Sequence, residues 1–388
     1  MNNSMKYVII RCEDLGAPGG HTAPLLEGAK TAHLQQLAQA GAAGLGKMGA
    51  SKNHGTIDRL RLHQALLGFD ARQPGTTPGS WYAAAANLQL QAGETAWCCE
   101  LVTQHDGRIT DPIAGNIPTK ESELLIRTLE ERLGSETRRW HLGQGPHHVL
   151  IVRGEPVLSA AGRKPVPPPE LVIGEPWERQ LPRGDADDAL KALLEQGAKI
   201  LEQHPVNRVR VDLGENPANM LWLWGASDAG AARSFTDRTG FSGAVVSSSF
   251  LLRGFAKTLG LGWKDGPHSF EERSLKPVAK TVQGLLERHD LVYVYLSIAT
   301  NDPVQRLCAM ERIDQLLLKP LTEQLPDTGP WRLLTVVDDR ARGVAPFVAI
   351  GTGLPQQPVA SLTAENFAES PLAFQDGSDW FSWFTTVA

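Results

Sequence analysis

Apolar and polar positions along the 388-residue chain follow two rhythms. Short, nearly unbroken apolar runs at 7–10, 95–102, 148–152, 220–224, 244–247, 291–296, 332–337 and 346–350 predict buried strands. Between many of them the spacing changes to the three-to-four period of a helix. Leu26, Ala29, Leu34, Leu37 and Ala38 predict a helix over 23–40, stopped by Gly41. Leu124, Leu125, Leu129 and Leu133 share one side of a predicted helix over 119–133. Further helices are expected over 187–203, 250–259, 276–288 and 304–325. Strands alternating with helices imply an α/β fold with a mostly parallel sheet. Such folds carry their chemistry outside the carboxyl ends of strands, so the loop after Ile10 draws attention first.

The composition shifts near residue 74, and 163–182 is rich in proline. The expected plan is a discontinuous core, 1–70 and 206–388, interrupted by an α+β insertion over 71–205. Gly44, Gly46 and Gly49 spell G-x-G-x-x-G, but a helix precedes them and no clear helix follows. A dinucleotide loop needs the reverse, so a connecting turn is expected there. Charged residues make up 21% and hydrophobic ones 41%, as in ordinary globular chains. The net charge of −5 argues against a nucleic-acid binder. No apolar run is long enough to span a membrane, and the N-terminus lacks a signal-peptide pattern. Cys12, Cys98, Cys99 and Cys308 form no C-x-x-C pair, which suits free thiols in a reducing cytoplasm. Trp222 and Trp224 alternate with Leu221 and Leu223 on a strand expected to be buried on both faces. Trp380, Phe381, Trp383 and Phe384 would form one stripe of a terminal helix, docked on the chain's own core or offered to a protein partner.

Four blocks carry a resemblance over nearly the whole chain. They are PLLEGAKT from Pro24, CELVTQHDGRITD from Cys99, HPVNRVR from His204 with PANMLWLWG from Pro217, and DLVYV from Asp290 with MERID from Met310. These resemble the archaeal-type cofactor-independent phosphoglycerate mutases of the alkaline phosphatase superfamily. The resemblance implies a parallel sheet sandwiched by helices plus an inserted cap domain. It also implies two divalent metals held by Asp and His, and a nucleophilic Ser.

The motifs that would carry that chemistry depart from the family pattern. Where the family has Asp-Gly after its first strand, this chain has Glu13 and Asp14. At the nucleophile, ungapped counting places Arg59, and three extra residues place Thr56. The Gly-His stretch after the 291–296 strand is missing, leaving Asp302, and the last motif reads Val337-Asp-Asp-Arg, leaving Asp338 or Asp339. The candidate metal ligands are therefore Glu13, Asp14, Asp302, Asp338 and Asp339. Substrate-side motifs survive better, at Asp106, Arg108, Asp111, His148, Asn207 and Arg210, with Asn116 in place of a family His and His147 in place of an Arg. Arg suits forked recognition of phosphate or carboxylate. The main expectation is a protein that has lost metal-dependent transfer, holds no cofactor, and binds a small phosphorylated acid or a protein partner. The alternative is an active 2,3-bisphosphoglycerate-independent phosphoglycerate mutase, or a repurposed phosphotransferase or phosphatase built on Thr56 with Mn, Mg or Zn.

Overall fold

The computed structural model describes residues 4–14, 25–47, 56–69, 77–155, 158–159, 165–181, 185–230, 233–298, 300, 302–338, 343–374 and 378–386. In chain order the strands are β1 (Lys6–Asp14), β2 (Ala42–Lys47), β3 (Glu94–His105), β4 (Arg108–Asp111), β5 (Arg138–Gln144), β6 (His147–Arg153) and β7 (Met220–Asp228). There follow β8 (Gly243–Ser247), β9 (Gly262–Asp265), β10 (Leu291–Ile298), β11 (Trp331–Val337), β12 (Val344–Gly351) and β13 (Ala373–Phe374). The chain divides into two compact units, one of residues 1–73, 234–248 and 260–388, the other of 74–233 and 249–259.

The larger unit is built on a mixed sheet in the order β13-β2-β12-β11-β1-β10-β8-β9. All its pairings are parallel except those of β12 with β11 and β2. The central strand β1 explains both faces. Val8, Ile10 and Cys12 point into a core shared with the helices Ala32–Ala40, Glu272–Leu286 and Pro303–Ile313. The alternate residues Tyr7, Ile9, Arg11 and Glu13 face the other way, as strand pleating requires. There Tyr7 meets Phe241 and Phe384 edge-on, with ring centroids 5.3 and 5.7 Å away.

The C-terminal helix Ser378–Thr385 belongs to this second face. Trp380, Phe381 and Phe384 are buried and Trp383 is half-buried against Phe347, so the aromatic stripe packs on the chain's own core. Residues 42–47, expected to be a turn, are strand β2, and their glycines are there for packing. A Cβ on Gly46 would lie 1.4 Å from Trp380 Cζ2, and one on Gly44 would lie 2.2 Å from the Leu372 carbonyl oxygen. Gly49 lies outside the described residues.

The helix expected over 23–40 is two, Leu25–Gly28 and Ala32–Ala40. The second gets a fresh start because buried Asp314 accepts the amides of His33 and Leu34, at 3.0 and 2.7 Å. The helix expected over 304–325 is interrupted by one wide π turn, Asp314–Leu318. In the helix Thr119–Leu133, Leu124 is exposed, and Leu125, Ile126 and Leu129 form the buried side.

The smaller unit has a five-stranded antiparallel sheet, β4-β3-β6-β5, with β7 also paired to β3. It extends to residue 233, past the expected boundary at 205, because β7 completes this sheet. Residues 249–259 belong to it too: the helix Phe250–Thr258 lies against the helix Pro78–Ala85 so closely that a Cβ on Gly254 would fall 1.7 Å from the Trp81 carbonyl oxygen. Leu221, Trp222, Leu223 and Trp224 of β7 are all buried. No helix among the described residues is long and apolar enough to cross a membrane.

Candidate active site

In the larger unit, polar side chains gather at the carboxyl ends of β1, β10 and β11, where open α/β sheets place their ligands. Arg11 and Glu13 sit two apart on β1 and share a face. The register sets Tyr295 beside Arg11, and Tyr293 two residues earlier on the same face. Asp338 follows β11 directly, its amide donating to the Cys12 carbonyl at 3.0 Å.

These groups form a buried ion cluster. The Arg11 guanidinium grips Asp338 through Nη2 at 2.6 Å and Nε at 3.2 Å, and Nη2 stands 3.8 Å from Glu13 Oε1. The Tyr295 hydroxyl donates to Glu13 Oε2, and the Arg11 Cζ lies 5.6 Å from the Tyr295 ring centroid. His63, on the helix Thr56–Leu66, shares a hydrogen bond of 2.6 Å between Nδ1 and the Tyr293 hydroxyl. All six side chains are buried, and those of Arg11 and Glu13 are 0% exposed. Burial by itself would lower the Arg11 pKa, but Asp338 and then Glu13 outweigh it and hold the pKa well above its ordinary value. Burial pushes the Cys12 thiol up to about 12, so it is an inert core thiol.

Among the described residues, the donors do not make up a set that fits two divalent cations. A dinuclear site needs several carboxylate and imidazole donors converging on open coordination positions. Here both carboxylates already hold a guanidinium that cannot give up its proton. Among the described residues, no three His, Cys, Asp or Glu side chains gather closely enough to hold a metal ion. Asp302 is elsewhere: exposed, it caps the helix Pro303–Ile313 by accepting the amides of Val304 and Gln305 at 2.8 and 3.3 Å. Asp339 lies outside the described residues, as do the side chains of Asp14, Arg59 and Thr56, the last being the first residue of its helix.

The substrate-side candidates all fall in the smaller unit. Asp106 and Arg108 are exposed at the β3–β4 turn, and Arg108 Nη1 donates to the Gly174 carbonyl at 2.5 Å. Asp111 accepts from the amides of Ile113 and Gly115 and from Asn216 Nδ2. Arg210 is buried and fully occupied, by the carbonyls of Ala114 and Asn216 and the carboxylates of Glu121 and Glu215. Asn207 is buried and ties Leu201 to Ala218. His148 is fully buried, Nδ1 accepting the Gly143 amide at 3.1 Å, and burial pulls its pKa down to about 3. Asn116 takes a left-handed turn conformation, φ 56°. Asp111 and Arg210 converge on Asn216, whereas Asn207 and His148 are tied into the backbone of their own surroundings.

A second polar cluster in this unit has Glu100 at its centre, with Tyr82, His147 and Trp224 around it. Sequence reasoning missed Arg11, His63, Tyr293, Tyr295, Tyr82 and Glu100. The available signal was a charged pair, Arg11 and Glu13, inside a run that otherwise reads as buried strand.

Comparison with known proteins adds four matches. The family model described as 2,3-bisphosphoglycerate-independent phosphoglycerate mutase matches residues 61–207. A protein of that name from Methanosarcina mazei is 30% identical over 322 residues, covering 81% of this chain and 80% of the relative. One from Methanothrix thermoacetophila is 28% identical across 97% of this chain and 98% of its own length. Among solved structures, the cofactor-independent phosphoglycerate mutase of Thermoplasma acidophilum aligns over 98% of both chains, with a TM-score of 0.57 and 25% identity.

Proposed function

The chain belongs to the 2,3-bisphosphoglycerate-independent phosphoglycerate mutase family, and we propose that this member binds a small phosphorylated carboxylic acid without metal-dependent phosphoryl transfer. One observation carries the reading: the Arg11 guanidinium sits between Glu13 and Asp338 at the strand ends. A metal in such a place polarises a phosphate oxygen through an open coordination position. A guanidinium offers charge and donors but no such position, and it cannot lower the pKa of a hydroxyl by binding its oxygen. The carboxylates it neutralises have little charge left to attract a divalent ion.

The phosphorylated acid is assigned to the smaller unit. Arg108 is exposed there, whereas Arg210 spends its donors inside the unit. Free thiols at all four cysteines suit a reducing cytoplasm.

The test combines metal analysis, a 2-/3-phosphoglycerate interconversion assay with added Mn, and a melting curve with 3-phosphoglycerate. The expected result is no tightly held ion, no turnover, and a higher melting temperature with the ligand. Paired ions together with turnover would overturn it. The second reading is that this chain is itself a mutase, with Thr56 as nucleophile. The names of the relatives at 27–30% identity favour it, and the same assay decides between the two.

A further inference from the structure

The helix Pro205–Asp212 of the smaller unit carries the HPVNRVR block, and its inner side is firmly held. Asn207 bonds to the backbone of Leu201 and Ala218. Arg210 bonds to the carbonyls of Ala114 and Asn216 and pairs with Glu121 and Glu215. At the start of the helix the His204 ring accepts the Val206 amide at 3.2 Å, and past its end the Leu213 amide still bonds to the Val209 carbonyl at 3.0 Å. The helix is therefore a fixed platform with a defined outer face.

That face is apolar in part. Eight large apolar side chains are exposed among the described residues, and three of them fall here: Val209 at 56%, Val211 at 58% and Leu213 at 71%. Leu124, on the helix joined to this one through Glu121, is 48% exposed too. Single exposed apolar residues need no explanation, whereas a cluster of them marks a contact.

The order of the residues says with what. Residues four apart lie in line on a helix. Two such rows run side by side on the outer face, Arg208 with Asp212 and Val209 with Leu213, all four exposed. Each row is its own complement when reversed. Against an antiparallel copy, Arg208 meets the second copy's Asp212 and Asp212 meets its Arg208, while Val209 and Leu213 meet Leu213 and Val209. A parallel copy would set arginine against arginine and aspartate against aspartate. Reciprocity of this kind is what a two-fold interface requires, with the same patch on both subunits.

We propose that the outer face of this helix is an interface between two copies of the chain, packed antiparallel about a two-fold axis. The charged row sets the direction, and the apolar row supplies the surface removed from water. One helix face is a small contact, which places the association among the weak, reversible ones.

The test is sedimentation of the full chain over a concentration series reaching the high micromolar range, with melting curves to show that each variant is folded. The wild type is expected to pass reversibly from monomer to dimer. Arg208→Asp sets acid against acid and Asp212→Arg sets base against base, so each alone should weaken the dimer about tenfold, equivalent to about 1.4 kcal/mol. An equimolar mixture of the two variants should restore it, since every acid then faces a base. Both positions are exposed, and surface changes of this kind leave the fold intact. A wild type that stays monomeric throughout would overturn the proposal and leave the face to a different partner. A dimer that neither charge change weakens would lie elsewhere on the chain and overturn it too. So would a mixture that associates no more tightly than its components, because the antiparallel register would then be wrong.

Discussion

Glu13 in the larger unit and Glu100 in the smaller are built alike up to one substitution. Each is a buried strand carboxylate that takes a tyrosine hydroxyl, from Tyr295 and Tyr82 respectively, and each stands next to a basic side chain. At Glu13 the base is Arg11, wholly buried, permanently charged and shared with Asp338. At Glu100 it is His147, about one-third exposed. The first group is shut off from solvent, the Arg11 and Glu13 side chains being 0% exposed, whereas the second reaches solvent through its base. A single choice of base thus separates a fully buried ion group from one that meets solvent.

The largest effect is expected from Arg11→Met. It leaves two buried carboxylates without their cation and should cost about 3–5 kcal/mol in urea unfolding. A loss below about 1 kcal/mol would break the comparison, because the carboxylates would then have another source of charge. Next, Tyr295→Phe and Tyr82→Phe each remove a donor to a buried carboxylate and should cost about 1.5–3 kcal/mol apiece. Closely matched losses would sharpen the parallel.

His148, the neighbour of His147 on β6, gives a pH signature. Its pKa is depressed to about 3 in the fold against 6.5 in a free chain. Between those values the unfolded state binds the extra proton, so stability falls as pH falls, by up to about 1.4 kcal/mol per pH unit. Above pH 6.5 this residue adds no slope. His148→Gln should flatten the limb between pH 6.5 and 4, and an unchanged limb would mean that other groups carry it. The smallest effect is expected from His147→Gln, because the replaced ring is partly exposed and an amide can still donate to Glu100; the cost should be about 1 kcal/mol or less.

Much of the framework was legible from apolar periodicity. Eight of the strands and the helix at 119–133 fall where the runs predict them, since a strand buried on both faces leaves no room for polar residues. The errors have particular causes. Residues 42–47 look like a turn because two glycines sit where Trp380 and Leu372, far away in sequence, need the space. The insertion was cut short because β7 is as apolar as the larger unit's own strands, and only pairing assigns it to β3. The candidate site was less legible. Aligned motifs pick out Glu13 and Asp338 as leftover ligands, but the meaning of both depends on Arg11, which no ligand pattern contains. Likewise Glu100 reads as one polar residue in a strand until the fold brings Tyr82, Trp224 and His147 around it.

The position of β1 carries a consequence for how the molecule comes into being. Tyr7 pairs with Leu291 on one side and with Arg332 on the other. As the polypeptide leaves the ribosome, β1 must therefore wait for β10 and β11, while all five strands of the smaller sheet are already made by Asp228. An apolar segment bearing a lone arginine and its acid is left waiting while residues 15–290 follow it. That makes β1 a segment with much to gain from a chaperone.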